Sequence, residues 1–565
     1  MADITISPGN KTIRAMTGET LRDVLLRAGV AQEAPCNGQG VCGQCLVRVG
    51  SDAGVPETPH ESISSEAAGR GIRLACRLAA DRDMTVQVLS LMPDEDKIPI
   101  LEGTVFSGES AADDNIVKKT DFAVRLETGS RGDGVVLHYE DECCPLSDWK
   151  PHFSPKGLAV DIGTTTLVGS LVCLTSGRVL STVSTLNPQI AMGHDVMTRI
   201  QMGSTADGLR ELTKSVQQGI RKIIKAVCVH TRTNPLEILD VVVGGNTAML
   251  QITAGINPEP LGRSPFNVDI QGGREYPAGI FHLDTVNPGA RVYVPPVAHA
   301  FVGSDISAGM LICDGFFNRD RTVLFIDIGT NGEIGLQTED RVLITSTAAG
   351  PAFEGMGMSS GMRAGIGAVE TVEVIDGGLR IKTIGEVPAR GICGSGIIDL
   401  TAALLKLGVI DPSGRMTGPD TGNPFSAEVT EKLGHIDGVP AFAYGETVYF
   451  TQKDVRQVQL AKSAIRTAVD IFIQETGHEI DEVVVAGGFG FTLNPDSLGA
   501  IGLLPPELAK KISFAGNSSL LGCQRMLTDV NARRFIERRL AEAEHLSLAE
   551  RPDFMMAFVE NMEFV

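Results

Sequence analysis

The sequence predicts a multidomain chain of α/β and α+β folds, and three observations lead to that prediction. The chain has 565 residues, and at roughly 100–200 residues per domain this length favours three or four domains. Four of its 11 cysteines lie between positions 36 and 76. The sequence Asp-Ile-Gly-Thr occurs twice, each time after an apolar run typical of a buried strand. We therefore expect a cysteine-bearing domain over 1–93, a linker and small connector domain over 94–155, and a duplicated domain over 156–565.

Composition and charge exclude several classes of protein. A hydrophobic share of 43% is typical of a packed globular chain, and this share argues against a disordered or collagen-like one. The 49 basic and 69 acidic side chains give a formal charge of −20, which repels nucleic-acid phosphates and anionic membrane surfaces. Residues 1–14 lack the basic and apolar regions of a secretory signal, and no apolar run approaches about 18 residues. We expect a cytoplasmic protein that binds neither nucleic acid nor membrane.

The N-terminal cysteines have the spacing of a metal-cluster site. Cys36, Cys42, Cys45 and Cys76 form the pattern C-x5-C-x2-C-x30-C. Three thiolates from one glycine-rich loop and a fourth from a distant strand can enclose a small cluster, which favours [2Fe–2S]. Zinc is the alternative, although zinc sites usually take their ligands from two short C-x2–4-C knuckles. Buried free thiols are a second alternative.

The elements around these cysteines indicate a known fold. Residues 3–7 and 12–16 alternate like a β-hairpin, and Thr20 can cap a short amphipathic helix. Strand-like stretches follow at 46–49 and 84–88. Together with the cysteine loop, this succession resembles a β-grasp ferredoxin, and the five-residue first gap matches the adrenodoxin-like spacing. The resemblance implies a one-electron carrier.

Several other residues are given no functional role. The stretch 94–155 mixes strand-like segments with acidic turns, which predicts a linker near its start and then a small α+β domain. Cys143 and Cys144 are adjacent, which strains joint ligation of one metal, so we expect two ordinary thiols. His194 and His299 are isolated in the sequence, and we expect packed or surface histidines.

The duplicated motifs have the composition of phosphate-binding loops. In each copy a buried strand delivers an aspartate to a tight turn, where glycine lets backbone amides approach phosphate and threonine supplies hydroxyls. Asp161 and Asp327 are the candidate catalytic residues, because a carboxylate can hold Mg²⁺ through water. A single turn of this kind is weak evidence, since many hairpins share its composition. The other candidate nucleotide-binding residues are Gly163, Thr164, Thr165 and Thr166 in the first loop and Gly329, Thr330, Asn331 and Glu333 in the second.

A second pair of repeats points to a superfamily. The stretches 241–249 and 483–491 each combine a valine-rich strand with Gly-Gly. Two loops followed by two such strands resemble the ASKHA superfamily of sugar kinases, actin and Hsp70, with its duplicated actin-like, ribonuclease-H-like fold. That resemblance implies that both loops hold ATP and Mg²⁺, and that residues 391–399 form a connecting helix near the nucleotide. It adds the candidate residues Gly350, Gly394, Ser395, Gly396, Gly487 and Gly488, the last two on the adenosine side.

Two further segments receive structural predictions. The stretch 346–370 is rich in Gly, Ala and Met; it is either a surface loop or a loop that lines the nucleotide or a partner, with Glu354 and Arg363 as its polar groups. The stretch 451–475 places apolar residues on one helical face after a Thr-x-x-Asp capping box. We expect that helix to serve core packing.

The order of motifs along the whole chain resembles the reductive activators of corrinoid-dependent enzymes, in which a [2Fe–2S] ferredoxin is fused to an ASKHA ATPase. The resemblance implies ATP-dependent transfer of one electron from the cluster to the inactive Co(II) corrinoid of a methyltransferase corrinoid protein, which regenerates Co(I). It implies three partners: that corrinoid protein, an electron-donor protein or reductant, and a second copy of the chain. No cysteine follows Cys523, so a second cluster is not expected. A small-molecule kinase with a regulatory cluster and a non-hydrolysing redox scaffold are the alternatives.

Overall fold

The structure is a computed structural model, and the chain forms two compact units. The first comprises Met1–Ile270, Arg274–Val294 and Leu527–Val530. The second comprises Gln271–Gly273, Pro295–Met526 and Asn531–Val565. The residues that the structure describes are 2–7, 11–16, 18–28, 30, 45–50, 71–88, 124–128, 135–139, 142–146, 152–193, 195–313, 315–417, 425–445, 448–487 and 493–565.

A five-stranded sheet and one helix make up the described part of residues 1–93. The sheet has the order β2-β1-β5-β3-β4, with β1 parallel to β5 and the other neighbours antiparallel. Ile4, Val47 and Val86 are fully buried in the core that this sheet shares with the helix. The hairpin, the helix and both later strands are confirmed, and the arrangement is the expected β-grasp fold. The bounds are β1 Asp3–Ser7, β2 Lys11–Arg14, α1 Leu21–Arg27, β3 Leu46–Val49, β4 Ile72–Leu74 and β5 Met84–Val88.

An antiparallel sheet follows in the connector. Its strands are β6 Val124–Thr128, β7 Val135–Tyr139 and β8 Glu142–Leu146, in that spatial order. Both strand-like segments expected here are confirmed as β6 and β7. The linker expected near the start of 94–155 lies outside the described residues.

The first half of the duplicated region is a six-stranded sheet in the first unit. Its order is β11-β10-β9-β12-β14-β13, in which β9, β10 and β11 form an antiparallel meander and β12 joins β9 in parallel. Every residue of β12 is buried. The long helix α3 packs on β10 and β11. The bounds are β9 Lys156–Ile162, β10 Thr166–Cys173, β11 Val179–Leu186, α2 Val196–Gly203, α3 Ala206–Thr231, β12 Ile238–Gly245, α4 Thr247–Thr253, β13 Arg274–Pro277 and β14 Arg291–Val294.

The second unit repeats that arrangement. Its main sheet has the order β25-β24-β15-β16-β17-β26, again with an antiparallel meander of three strands and a strand, β24, that joins the first of them in parallel. The expected duplication is therefore confirmed for five strands of each sheet, which share order and direction. The sixth strands differ, because β13 pairs antiparallel at one edge and β26 pairs parallel at the opposite edge. The bounds are β15 Val323–Ile328, β16 Gly332–Gln337, β17 Val342–Thr347, β24 Glu482–Ala486, β25 Ile512–Gly516 and β26 Ala543–His545.

Helices and two three-stranded sheets complete the second unit. The 25-residue helix α8 has Thr451 as its N-cap in a capping box with Asp454, and Val458, Ile465 and Phe472 on its buried face belong to the main core, as expected. The bounds are α5 Ser304–Ile312, β18 Ala368–Ile375, β19 Gly378–Thr383, β20 Gly391–Ile392, α6 Gly394–Lys406, α7 Ala427–Lys432, β21 Leu433–Ile436, β22 Val439–Tyr444, β23 Val448–Thr451, α8 Gln452–Thr476, α9 Pro495–Ala500, α10 Pro506–Ala509, α11 Ser518–Thr528, α12 Val530–Leu540 and α13 Phe554–Glu560.

Among the helices of the described ranges, none combines the length and the apolar character that crossing a lipid bilayer requires.

Candidate functional site

Two of the four candidate cluster ligands lie within the described residues, and they meet in the core of the β-grasp sheet. Cys45 directly precedes β3, and Cys76 lies in the 3₁₀ turn Ala75–Arg77 that follows β4. A backbone bond from the Ala75 N–H to the Cys45 carbonyl, 2.8 Å long, joins the two segments. Cys36 and Cys42 lie outside the described residues.

The geometry of this cysteine pair fits a shared metal atom. The two Sγ atoms are 3.3 Å apart, and both side chains are buried. A disulfide requires about 2.05 Å, and both residues are free thiols. Thiolates from separate segments that converge on one point are the donor set of iron–sulfur clusters.

The first candidate phosphate loop is a tight turn between β9 and β10. Asp161 is the penultimate residue of β9, and the loop from Gly163 to Thr166 is half-buried. The Gly163 N–H donates to the Thr166 carbonyl at 3.0 Å. A Cβ at Gly163 would lie 2.6 Å from that same carbonyl oxygen, so the turn as built excludes any larger residue. The structure therefore gives a backbone reason for this glycine.

Two buried residues that were not candidates from sequence donate hydrogen bonds to the carbonyl groups of this loop. The Asn187 Nδ2 donates to the Gly163 carbonyl at 2.8 Å, and the Asn187 N–H donates to the Thr165 carbonyl at 2.9 Å. The Arg199 guanidinium donates to the Thr164 carbonyl at 2.5 Å. Both side chains have no solvent exposure. The sequence Asn-Pro-Gln at 187–189 was the one signal that could have drawn attention to this region.

The second candidate phosphate loop joins β15 to β16. Asp327 is the penultimate residue of β15 and lies opposite Glu333 in the antiparallel ladder. The Gly329 N–H donates to the Asn331 carbonyl at 2.9 Å. The Thr330 hydroxyl donates to the Glu354 carboxylate at 2.5 Å, which brings one polar group of the 346–370 segment to the loop.

Carboxylates surround the second loop. Burial of Glu333 raises the pKa of its carboxyl well above the usual value, and the negative charges of Asp305 and Asp327 raise it further. Ser346 Oγ lies 3.5 Å from the Glu333 carboxylate. Asp305 was not among the candidates from sequence; its position in the first turn of α5, after Gly-Ser, was the available signal.

Glycine allows close approach where the Gly-Gly strands pass the loops. Gly487 follows β24 with φ +121°, and a Cβ there would lie 2.5 Å from the Ile328 carbonyl and 3.2 Å from the Asp327 carboxylate. In the first half, Gly245 ends β12, and a Cβ there would lie 3.1 Å from the Ile162 carbonyl. Each Gly-Gly strand thus abuts the strand that carries a candidate aspartate. Gly488 lies outside the described residues.

The remaining glycine candidates occupy different surroundings. Gly394, Ser395 and Gly396 form the buried first turn of α6, which confirms the expected helix. A Cβ at Gly396 would lie 2.1 Å from the Val369 carbonyl, so this glycine serves close packing on β18. Gly350, with φ +77°, starts the 3₁₀ turn that carries Glu354.

The 346–370 segment is anchored along much of its length. Phe353 is fully buried in the main core. The Ser359 N–H donates to the Asp454 carboxylate at 2.7 Å, and the Met362 N–H donates to the Ile392 carbonyl at 2.9 Å. Arg363 follows these anchors and is half-buried.

Two histidines and two adjacent cysteines received no functional role from the sequence, and the structure describes three of these four residues. His299 stacks on His545, with ring centroids 3.6 Å apart, and burial lowers its pKa, so it is a packed histidine as expected. His194 lies outside the described residues, and Cys143 and Cys144 lie in β8.

Three family models match consecutive parts of the chain. A model described as a 2Fe-2S iron-sulfur cluster binding domain matches residues 4–81. A model described as the RACo middle region matches 156–315, and one described as the C-terminal domain of RACo, the ASKHA domain, matches 321–565.

Individual proteins also match over most of their length. The corrinoid activation enzyme RamQ of Eubacterium limosum is 33% identical over 422 residues, which are 72% of this chain and 70% of RamQ. The [Co(II) methylated amine-specific corrinoid protein] reductase of Methanosarcina barkeri is 25% identical over 70% of this chain and 75% of its own. The solved structure of a reductive activator for corrinoid, iron-sulfur protein aligns with 100% of this chain and 98% of its own, with a TM-score of 0.70 and 29% identity.

Proposed function

Because this chain belongs to the family of reductive activators of corrinoid-dependent proteins, we propose that it returns the inactive Co(II) corrinoid of a methyltransferase corrinoid protein to Co(I). The chain is an ATP-hydrolysing activase, and it transfers one electron from a [2Fe–2S] cluster to the cobalt of its partner. One observation carries this proposal: a single chain joins a β-grasp sheet with converging buried cysteines to two sheets, each with an Asp-Ile-Gly-Thr turn between the first two strands of its meander.

We assign Cys36, Cys42, Cys45 and Cys76 as the cluster ligands. A ferredoxin-type [2Fe–2S] cluster supplies one-electron transfer near roughly −400 mV. The sheet contributes burial, because Cys45 and Cys76 are 1% and 6% exposed, and low exposure to water limits access of oxidants to the sulfurs. The 3.3 Å Sγ–Sγ distance supports the assignment of this pair.

We assign the two loops to ATP and Mg²⁺, with Asp161 and Asp327 holding the metal through water. ATP is needed because Co(I) formation is a demanding reduction, and every 59 mV uphill lowers the equilibrium constant of a one-electron transfer about tenfold. ATP binding and hydrolysis can offset that cost by favouring one arrangement of the protein over another or by releasing the product complex. The raised pKa of Glu333 beside Asp327 supports the second loop as a place where cation or proton binding is favoured.

The partners and setting follow from the same assignment. We propose a corrinoid protein as electron acceptor, a separate electron-donor protein or reductant, and a homodimer formed through the ATPase halves. Seven of the cysteines in the described ranges, among them the buried Cys228, Cys313 and Cys523, are thiols that form no disulfide, which supports a reducing compartment such as the cytoplasm. We retain 1–93, 94–155 and 156–565 as the division into domains.

Reconstitution tests the function directly. The anaerobically purified chain, a Co(II) corrinoid protein and a low-potential reductant are mixed with or without Mg-ATP, and the Co(I) absorption band is followed. The expected result is Co(I) formation that requires both the chain and ATP. Equal Co(I) formation without ATP, or phosphate transfer from ATP to a small molecule in place of Co(I) formation, would contradict the proposal.

The cluster assignment predicts the largest single-residue effect. Cys76→Ser removes a thiolate ligand with little change in volume, so iron and acid-labile sulfide should fall from two of each per chain to near zero, with Co(I) formation lost and ATP binding retained. Cys228→Ser, at another buried thiol on α3, is the matched control and should keep its iron. Stoichiometric zinc in place of iron in the unaltered chain would refute the assignment.

A further inference from the structure

We propose that Asn187 and Arg199 are positioning residues that orient the backbone of the first phosphate loop for binding ATP. The proposal rests on the proposed function in one respect, that this loop takes the phosphates of ATP. It adds separate roles for two groups of residues. The loop supplies the backbone amides, and the two buried side chains that bond to its carbonyl groups determine the direction of those amides.

Three successive carbonyl groups of the loop accept hydrogen bonds from Asn187 and Arg199. Asn187 bonds to the carbonyls of Gly163 and Thr165, through its side-chain amide and its backbone N–H respectively. Arg199 bonds to the carbonyl between them, that of Thr164. All three donors belong to Asn187, which directly follows β11, and Arg199, which lies in α2, so two residues together support the loop.

Because the peptide unit is planar, hydrogen bonds that fix the carbonyl groups of the loop also fix the direction of its N–H groups. In a trans peptide the C=O of one residue and the N–H of the next point in opposite directions. With the Gly163 and Thr164 carbonyls held against Asn187 and Arg199, the N–H groups of Thr164 and Thr165 face the other side of the loop. Consecutive amides on one side of a turn form an anion-binding concavity, so we assign that side to phosphate oxygens.

The support itself is rigidly held. The Arg199 guanidinium also donates to the Gly193 carbonyl at 2.8 Å and to the Gln189 side-chain oxygen at 3.0 Å. The Asn187 side-chain oxygen accepts the Gln189 N–H at 3.0 Å, which caps the 3₁₀ turn Pro188–Ala191. Both side chains are fully buried, and a buried donor that loses its acceptor is costly. A flipped loop would therefore leave several of these donors without acceptors.

The sharpest test is Asn187→Asp in the full-length, cluster-loaded chain. Aspartate keeps the oxygen that caps the 3₁₀ turn, but when ionised it has no donor and repels the Gly163 carbonyl. The Kd for a non-hydrolysable ATP analogue with Mg²⁺, measured by calorimetry at pH 7.5, should rise tenfold or more. Protonation of the carboxyl restores a donor, so the defect should shrink as the pH is lowered.

The chain supplies a matched control. Asn234 also precedes a proline, and its side-chain oxygen likewise accepts the N–H two residues on, capping the 3₁₀ turn Pro235–Glu237. Asn234→Asp makes the same chemical change away from the loop and should bind the analogue within twofold of the unaltered chain. Visible absorbance of the cluster and the thermal unfolding midpoint report whether each variant is folded.

The variant Arg199→Lys and amide hydrogen exchange of the loop test the same inference independently. Arg199→Lys retains the charge but replaces a fork of donors by one ammonium group, and it should raise the analogue Kd tenfold or more while kcat at saturating ATP stays within about threefold. In the unaltered chain, the analogue should slow amide hydrogen exchange in the peptide covering 161–166. The inference is overturned if a folded Asn187→Asp or Arg199→Lys variant binds the analogue normally, or if that peptide gains no protection. Absence of binding by the unaltered chain would instead refute the nucleotide site of the proposed function.

Discussion

The two candidate phosphate loops share a backbone plan and differ in the charges around them. Each links the first two strands of an antiparallel meander, with an aspartate as the penultimate residue of the first strand. The first loop is held by a neutral amide and a guanidinium, those of Asn187 and Arg199. The second loop lies among the carboxylates of Asp305, Asp327 and Glu333. Duplication of a sequence motif therefore reproduced the strand order but not the electrostatics.

This difference suggests different tasks for the two loops. A cationic support behind backbone amides favours an anion such as phosphate. A group of carboxylates, one of them with a raised pKa, favours binding of a cation or a proton. We therefore expect changes to the backbone of the first loop and to its supporting side chains to weaken ATP binding, and loss of the carboxylate of Asp327 or Asp161 to slow ATP turnover.

The aspartates should give the largest effect on turnover. On the proposed assignment of Asp327 to Mg²⁺, Asp327→Asn removes charge compensation for the transferred phosphoryl group, so kcat for ATP hydrolysis should fall about 100-fold or more while the KM for ATP changes less than about threefold. Asp161→Asn should also reduce turnover more than affinity. Steady-state ATPase assays measure both parameters.

Asp437→Asn, in the exposed turn between β21 and β22 with φ +52°, is a suitable control because asparagine also accepts that conformation. Should Asp327→Asn weaken ATP binding and leave kcat unchanged, the division of tasks between the loops would be wrong.

The glycines of the two loops should respond unequally to the same substitution. A Cβ at Gly163 would lie 2.6 Å from a backbone carbonyl, whereas a Cβ at Gly329 would lie 3.6 Å from its nearest neighbour, an ordinary contact. Gly163→Ala should therefore lower the affinity for ATP tenfold or more, with about 1–3 kcal/mol of strain. Gly329→Ala should bind within about threefold of the unaltered chain. Equal responses in calorimetric titrations would remove this distinction.

The strands and caps were predictable because their signals are local. The alternation in 84–88, the capping box at Thr451 and the repeated Asp-Ile-Gly-Thr each depend on residues within a few positions of one another, and the structure confirms β5, α8 and the two meanders.

The surroundings of the loops were not predictable in this way. Arg199 meets the carbonyl of Thr164 across 35 positions, and Asp305 acts on Glu333 from a different element. Such contacts depend on how helices pack on sheets, and periodicity carries no information about them. The close approach of Gly396 to the Val369 carbonyl of β18 is another contact of this kind.

Glu333 should make the stability of the second unit depend on pH. Its pKa is raised in the folded chain, so between the unfolded value of about 4.3 and the raised folded value the folded state holds the extra proton, and stability falls as pH rises. Glu333→Gln removes this contribution. In protein free of Mg²⁺ and nucleotide, the unfolding midpoint of the variant relative to the unaltered chain should increase from pH 5 to pH 8. A relative midpoint that decreases over this range would contradict the assignment of the buried carboxyl.

The smallest expected effect concerns the hydrogen bond between the second loop and the 346–370 segment. Thr330→Val has nearly the same shape but cannot donate to the Glu354 carboxylate, which now receives that bond at 2.5 Å. A hydrogen bond of this kind contributes about 1 kcal/mol, so kcat for ATP hydrolysis should fall roughly fivefold. Thr330→Ser keeps the hydroxyl and should retain most of the activity, which separates loss of the bond from loss of packing. If the serine and valine variants are equally slow, the hydrogen bond from Thr330 to Glu354 does not contribute to turnover. The conformation of the second loop then depends on its own turn and not on the 346–370 segment.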